Sequence, residues 1–431
     1  MFQHYAHLGG KDHVVFLGDP SQEVRDPSWY CSEERSALFA NMYAPIWDDG
    51  ENGTPVNEEN PYALYVYKTV STYKDYVKFW EVWNEPDFTR HGNYFDLPQN
   101  PGNWWNNDPQ PCNYKLKAPI YHYIRLLRIS YEVIKSVDPD AYVAIGGLGY
   151  PSFLDAVLRN TDNPTDGSVE RSFPLKGGAY FDVMSYHTYP HIDGSLRIWN
   201  SDRTHSTWQR NTDRAVDGIL SLRQEFEDVL FKHGYSGTTY PAKEWLITES
   251  QAPRKPIRHR WGSDEVQINF ILKALIESQR HHIRQFHIFT IGDKRDFRDA
   301  YQLGHEYDLM GFYKNLRKAK PHQQQANPVT YAYKTASDLL YGKYFDHTTF
   351  DSLPLPEGVR GGAFSNEAGE TTYVLWAKLT GDRTENASKL IDLEQALGTS
   401  EVQVRAWDFC QTQEVRRMSS KRIALTGRPI F

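Results

Sequence analysis

Lys78-Phe79-Trp80-Glu81-Val82-Trp83-Asn84-Glu85-Pro86 is the stretch whose reading decides the fold. Its aromatic and β-branched run predicts a buried strand, and Pro86 stops the ladder directly after an amide and a carboxylate. Glu85 therefore stands where a hydrophobic strand runs out, a position at which an ionisable group is kept for chemistry rather than for stability. Far downstream, Glu244-Trp245-Leu246-Ile247-Thr248-Glu249-Ser250 repeats the arrangement, with a short apolar strand delivering Glu249 at its C-terminal end. Helix and strand patterns alternate between the two, which predicts βα units and a parallel sheet. Two carboxylates at one rim of such a sheet suit glycosidic bond cleavage: one protonates the leaving oxygen, the other attacks or activates water.

Trp83-Asn84-Glu85-Pro86 resembles the acid/base motif that closes the fourth barrel strand of glycoside hydrolase clan A. Ile247-Thr248-Glu249 resembles the nucleophile motif that closes the seventh. Within the clan the nearest resemblance is to family 39, the β-xylosidase and α-L-iduronidase group, in the pattern of residues 11–342. The resemblance implies a (β/α)8 TIM barrel and retaining hydrolysis of an oligo- or polysaccharide by double displacement, without a cofactor or catalytic metal. Glu249 would be the nucleophile and Glu85 the acid and then the base, with carboxyl groups about 5–5.5 Å apart. Glu85 is expected to be kept protonated by burial and by the charge of Glu249. Asn84 would hydrogen-bond the sugar 2-hydroxyl. In Tyr180–Pro190, the sixth strand by count, alternation puts His187 and Tyr189 on one face. Clan A places a histidine or tyrosine from this strand end against the nucleophile or substrate.

The bulk properties fit a carbohydrate partner. A net charge of −7 with both signs mixed, and no long basic run, argues against nucleic acid and anionic membranes. Aromatic residues make up 14% of the chain, 12 of them tryptophans; such side chains stack on sugar faces, although most of them fill the core of a large domain. Cys31, Cys112 and Cys410 are widely spaced and odd in number, so neither a disulfide framework nor a CxxC metal site follows. Asn52-Gly53-Thr54 and Asn386-Ala387-Ser388 are sequons. The chain shows no signal peptide and no transmembrane run. An extracytoplasmic location is expected if a leader lies in a missing N-terminus.

The strand count supports that last condition. An eight-unit barrel spends roughly 250 residues, about 31 per βα unit, so three units before the fourth strand need about 93. Only 77 residues precede Lys78, and residues 19–60 read as a long loop. The reading is that residues 13–18 form the third strand and that the first two βα units are missing. The rival is an unusual strand within residues 19–60.

The remaining features fill in the plan. Trp104-Trp105, in the long loop after Pro86, is a candidate sugar platform; the alternative is that the pair packs the loop on the barrel. Ile120 through Ile134 recur at helical spacing up to Asp138-Pro139, and Ala141–Gly147 is the next strand. Gly146-Gly147-Leu148-Gly149 lacks the third glycine of a dinucleotide loop, and its glycines are expected to let the backbone turn. Ala252–Gly262 is basic and reads either as a site for an acidic sugar or as a solvated loop. Ser263 is placed to cap a helix. His281, His282 and His287 lack the framing expected of metal ligands. Phe286 or Phe289 stands where many clan A enzymes carry a tryptophan.

From Gly358 the pattern changes to short strands at Gly361–Ser365, Thr371–Lys378, Val402–Phe409 and Lys421–Thr426. The expected division is a catalytic barrel over residues 1–342 and a β-sandwich over residues 343–431. The alternative to an active glycosidase is an inactive or truncated carbohydrate-binding remnant of one.

Overall fold

The computed structural model describes residues 2–10, 12–31, 35–50, 52–89, 100–200, 205–314 and 324–431. The chain folds as two compact units, one formed by Met1–His187 and Gln224–Thr248, the other by Thr188–Arg223 and Glu249–Phe431. Parallel strands form at the five places named above, β1 (His13–Leu17), β2 (Val77–Val82), β3 (Tyr142–Ile145), β4 (Val183–Thr188) and β5 (Glu244–Ser250), and at a sixth, β6 (Gln285–Ile288).

In the first unit the sheet order is β1-β2-β3-β4-β5, so each strand lies beside its predecessor in the chain, as in a TIM-barrel-like fold. The β1–β2 and β2–β3 ladders are parallel, with Leu17 level with Val82 and Val82 level with Ile145. Strands covered on both faces read as continuous hydrophobic runs rather than alternating ones. Accordingly Phe79, Ala144, Val183 and Leu246 meet in one fully buried cluster. The helix Pro61–Tyr73 starts with proline at its first turn, and the Asn60 side chain accepts from the Ala63 N–H. It packs on the helix Ile120–Val137, where the Tyr62 and Ser130 hydroxyls are 2.7 Å apart. A disulfide joins Cys31 to Cys112, with Cα atoms 5.5 Å apart. The sequence reading found no disulfide because three cysteines do not single out a pair; loop geometry does.

In the second unit, Ser263 caps the helix Asp264–Arg280 by accepting from the Val266 N–H. That helix and Pro328–Leu340 share a core in which Leu272, Ile276, Ala332, Val374 and Trp376 are buried. Lys273 is buried against Asp213 at 2.8 Å, and Trp376 Nε1 donates to the same carboxylate. A buried charge survives only with such a partner. The antiparallel strands Tyr344–Phe345, Val359–Ser365 and Thr371–Ala377 form one small sheet, and Ser388–Ile391 with Ile423–Thr426 and Glu401–Val404 with Arg416–Ser419 form two ribbons. The strand expected over Val402–Phe409 ends at Val404, and Phe409–Thr412 is helical. Arg197–Asn200 and His205–Trp208 form an antiparallel pair. No helix among the described residues is long and apolar enough to cross a membrane.

Candidate functional site

The end of β2 is held in an uncommon backbone. Trp83 and Glu85 both adopt left-handed conformations, with φ of 64° and 51°. Non-glycine residues occupy this region at a cost, and at ligand sites the surrounding contacts enforce it. Those contacts are present here. The Trp83 indole N–H donates to Asp19, just past the end of β1. The buried Asp87 carboxylate accepts from the Gly149 and Tyr150 N–H groups, each at 2.7 Å, which ties the turn after β2 to the loop after β3. Lys115 Nζ donates to the Asn84 carbonyl at 2.7 Å. Asn84 itself is partly exposed.

Glu85 is oriented by His187, whose Nδ1 is 2.9 Å from Glu85 Oε1. The other ring nitrogen, Nε2, is 3.0 Å from the Thr248 hydroxyl. From there the chain of bonds continues inward: Thr248 Oγ1 to Ser185 Oγ at 2.7 Å, and Ser185 Oγ to the buried Glu81 carboxylate at 2.6 Å. An unbroken hydrogen-bonded row thus runs from Glu81 to Glu85. The imidazole fits because residue 147 is glycine: a Cβ there would lie 2.0 Å from His187 Nε2. Gly146 likewise lets the Trp83 carbonyl approach, where a Cβ would meet it at 2.7 Å. These two glycines serve close approach, not the turning the sequence suggests.

The electrostatics reverse one expectation. Burial pushes the Glu85 carboxyl upward, but the hydrogen bond from His187, the charge of that ring and nearby Lys115 together hold it below the usual glutamate value. Burial therefore does not raise Glu85 as expected, because it is outweighed by His187 and Lys115, which the sequence reading did not place beside it. Asp87 carries the opposite shift: burial raises it to about 7, opposed by its two backbone donors and assisted by the charge of Glu85.

In the second unit, Tyr189 lies just beyond β4 and its hydroxyl donates to Glu249 Oε2 at 2.7 Å. The Tyr189 ring sits edge-on to Tyr307 and Phe289, with centroids 4.9 and 6.1 Å away. Phe289 N–H donates to the Ser250 carbonyl, which sets the end of β6 beside Ser250. His191, buried in this cluster, is lowered to about 3 by desolvation and by the charge of Arg260.

Two sequence candidates are corrected. Trp104 is only 1% exposed, packed edge-on against Phe153 and tilted against Tyr114, so it is core and not a sugar platform. Its neighbour Trp105 is half-buried beneath the Lys232 ammonium, 5.8 Å from the ring centre. The basic segment Ala252–Gly262 is committed to ion pairs: Arg254 with Asp293 at 2.8 Å, Lys255 with Asp264 at 2.6 Å and Arg260 with Glu306 at 2.9 Å. His281 faces Glu277 at 3.7 Å and His287 bonds Gln285 at 2.8 Å. Sequence reasoning assigned no role to Asp87, Thr248, Lys115 or Asp19, although Thr248 stands inside the Ile247-Thr248-Glu249 motif and Asp87 lies two residues beyond Glu85.

No protein-family model matches the chain, and no curated protein matches it in sequence. Solved structures do. A family 39 glycoside hydrolase from the gut symbiont Bacteroides cellulosilyticus WH2 matches with a TM-score of 0.53 at 16% identity, over 100% of this chain and 76% of that one. A glucosidase from Croceicoccus marinus matches at 0.43 and 16% identity; 84% of this chain is covered but only 59% of that one. A family 44 xyloglucanase from Paenibacillus polymyxa matches at 0.45 and 11% identity, over 100% and 82%. The first likeness is one of fold: a TIM-barrel-like α/β architecture found in clan A hydrolases.

Proposed function

We propose that the chain is a retaining glycosidase acting on an oligo- or polysaccharide by double displacement. The observation that carries the reading is that each of two strand-end carboxylates is oriented by a side chain from the end of β4, Glu85 by His187 and Glu249 by Tyr189. Glu249, aligned by the tyrosine hydroxyl, attacks the anomeric carbon and expels the leaving oxygen. The proton that this oxygen needs is held by the Glu85–His187 pair and delivered through Glu85. With Glu249 esterified, Glu85 takes a proton from water, and the hydroxide formed cleaves the glycosyl ester. The Asn84 side chain bonds the sugar 2-hydroxyl as positive charge develops at the anomeric centre. Residues 1–342 form the catalytic part and residues 343–431 an accessory domain of small antiparallel sheets. Support also comes from the fold shared with the family 39 hydrolase.

The test is release of nitrophenol from a panel of aryl glycosides by the chain and its Glu249→Gly variant. Turnover that vanishes in the variant and returns on adding azide is expected. A folded chain that cleaves no member of the panel, or a variant as active as the parent, refutes the assignment.

A further inference from the structure

Double displacement uses Glu85 and Glu249 but not Glu81, a carboxylate on β2 that is only 4% exposed. Glu81 accepts from the Ser185 hydroxyl at 2.6 Å. Ser185 and His187, two residues apart on β4, share one strand face. Ala144, level with Glu81 on the intervening β3, has only a methyl group, so the carboxylate reaches past it to Ser185. Glu81, Ser185 and Thr248 each stand two residues beyond a member of the fully buried cluster, namely Phe79, Val183 and Leu246. The hydrogen bonds between them therefore run beside a core of low dielectric. A carboxylate is costly to place there, and ionisable groups are kept in such positions chiefly at functional sites.

Counting hydrogens fixes the direction of the row. Each hydroxyl has one hydrogen to give. An ionised Glu81 gives none, so Ser185 donates to it, and Ser185 Oγ in turn accepts from Thr248 Oγ1 at 2.7 Å. Thr248 Oγ1, its own hydrogen already committed, accepts from His187 Nε2 at 3.0 Å. While Glu81 stays ionised, His187 thus keeps a hydrogen on Nε2. Its Nδ1, 2.9 Å from Glu85 Oε1, is left to share the one remaining proton with that carboxyl. A row running the other way would put the ring hydrogen on Nδ1, satisfy Glu85 as a carboxylate and remove the pair's need for a further proton. Tyr123, which also feels the Glu81 charge, gives its hydrogen to the Val82 carbonyl and so does not compete for the carboxylate. Lys115 and Asp87 act at the outer end, on Glu85.

We propose that Glu81 is a positioning residue for proton delivery: through Ser185 and Thr248 it holds His187 with its hydrogen on Nε2, so that the proton of the Glu85–His187 pair stays between Nδ1 and Glu85, within reach of the leaving oxygen. The inference rests on the glycosidase reading for its effect on turnover, whereas the direction of the row is independent of that reading. In the first step the pair gives one proton to the leaving oxygen, and the ring remains neutral with its hydrogen on Nε2. The Nδ1 lone pair then faces an ionised Glu85, and the repulsion between them favours taking one proton back from water in the second step.

The experiment records nitrogen-15 spectra of the full chain labelled at histidine, across the pH range in which it is folded, with His187 assigned by the signals that vanish in His187→Gln. In the parent, Nε2 is expected to keep its hydrogen throughout. In Ser185→Ala and in Thr248→Val it should lose that hydrogen as pH rises, while Thr248→Ser, which keeps the hydroxyl, should retain the parent pattern; circular dichroism checks each fold. The second readout is kcat on phenyl and dinitrophenyl glycosides of one sugar. Ser185→Ala should lower kcat about tenfold on the phenyl glycoside, whose leaving oxygen needs the proton, and far less on the dinitrophenyl glycoside, with KM little changed on either. A parent whose neutral ring carries its hydrogen on Nδ1, or a Ser185→Ala variant that keeps the parent pattern, overturns the inference. Equal losses on the two glycosides also overturn it, because a merely structural defect does not sense the leaving group. The expected nitrogen pattern in a chain that cleaves no glycoside would uphold the direction of the row and sink the glycosidase reading alone.

Discussion

Asp87→Asn tests the electrostatics of the strand end without relying on catalysis. Asp87 is 1% exposed and its carboxyl is raised from 3.8 to about 7, chiefly by burial. The folded chain therefore keeps a proton that the unfolded chain releases near pH 4, and linkage fixes the sign. Between about pH 4 and pH 7 the folded state binds the extra proton, so this stabilising contribution is full below 3.8 and is lost as pH rises through about 7. At 1.36 kcal/mol per pH unit the gap corresponds to about 4 kcal/mol. Asparagine keeps an oxygen for the Gly149 and Tyr150 N–H groups and never ionises. Any fixed penalty for its unpaired amide is the same at every pH. The variant should therefore gain on the parent by about 4 kcal/mol between pH 4 and pH 8, read from urea unfolding across that range. Parallel stability profiles for the two proteins would refute the reasoning, and a gain in the opposite direction would show that Asp87 is held as a carboxylate by its donors.

Three further outcomes follow from the same geometry. His187→Gln removes a cationic ring while keeping an N–H for Glu85, so the Glu85 carboxyl should titrate at higher pH and the alkaline limb of kcat/KM should move up; a carbon-13 titration of Glu85 that moves down contradicts this. Gly147→Ala places a methyl group 2.0 Å from His187 Nε2, so the ring must leave Glu85. A loss of stability of about 1–3 kcal/mol and a fall in kcat without a matching rise in KM are expected, and unchanged kinetics would count against His187 as the group that positions Glu85. Replacing Cys31 and Cys112 by serine opens a loop of 81 residues. Chain entropy sets the loss near 4.5 kcal/mol, and identical unfolding midpoints with and without reductant would show that the bond contributes nothing.

The carboxylates Glu85 and Glu249 were legible because parallel strands are covered on both faces. Phe79-Trp80 and Trp245-Leu246-Ile247 had to be continuous apolar runs, and a charged residue ending such a run stands out without any coordinates. Local rules also carried one cap: Ser263 before Asp264 follows from backbone donors that every helix leaves open. Trp104 and Trp105 show where such reading stops. Adjacent residues point different ways, and only the packing of the loop decided that Trp104 joins Phe153 in the core.

By itself, then, the sequence determined the run of alternating strands and helices, five of the six parallel strands and the two glutamates at strand ends, because these depend on hydrophobic periodicity and on punctuation by proline and glycine. Tertiary structure alone decided which groups surround those glutamates. It brought His187 and Lys115 to Glu85, turned Gly147 into a seat for an imidazole and paired Cys31 with Cys112. Each of these contacts joins segments far apart in the chain. Their free energies come from burial and from distances between charges, and neither exists until the loops are closed.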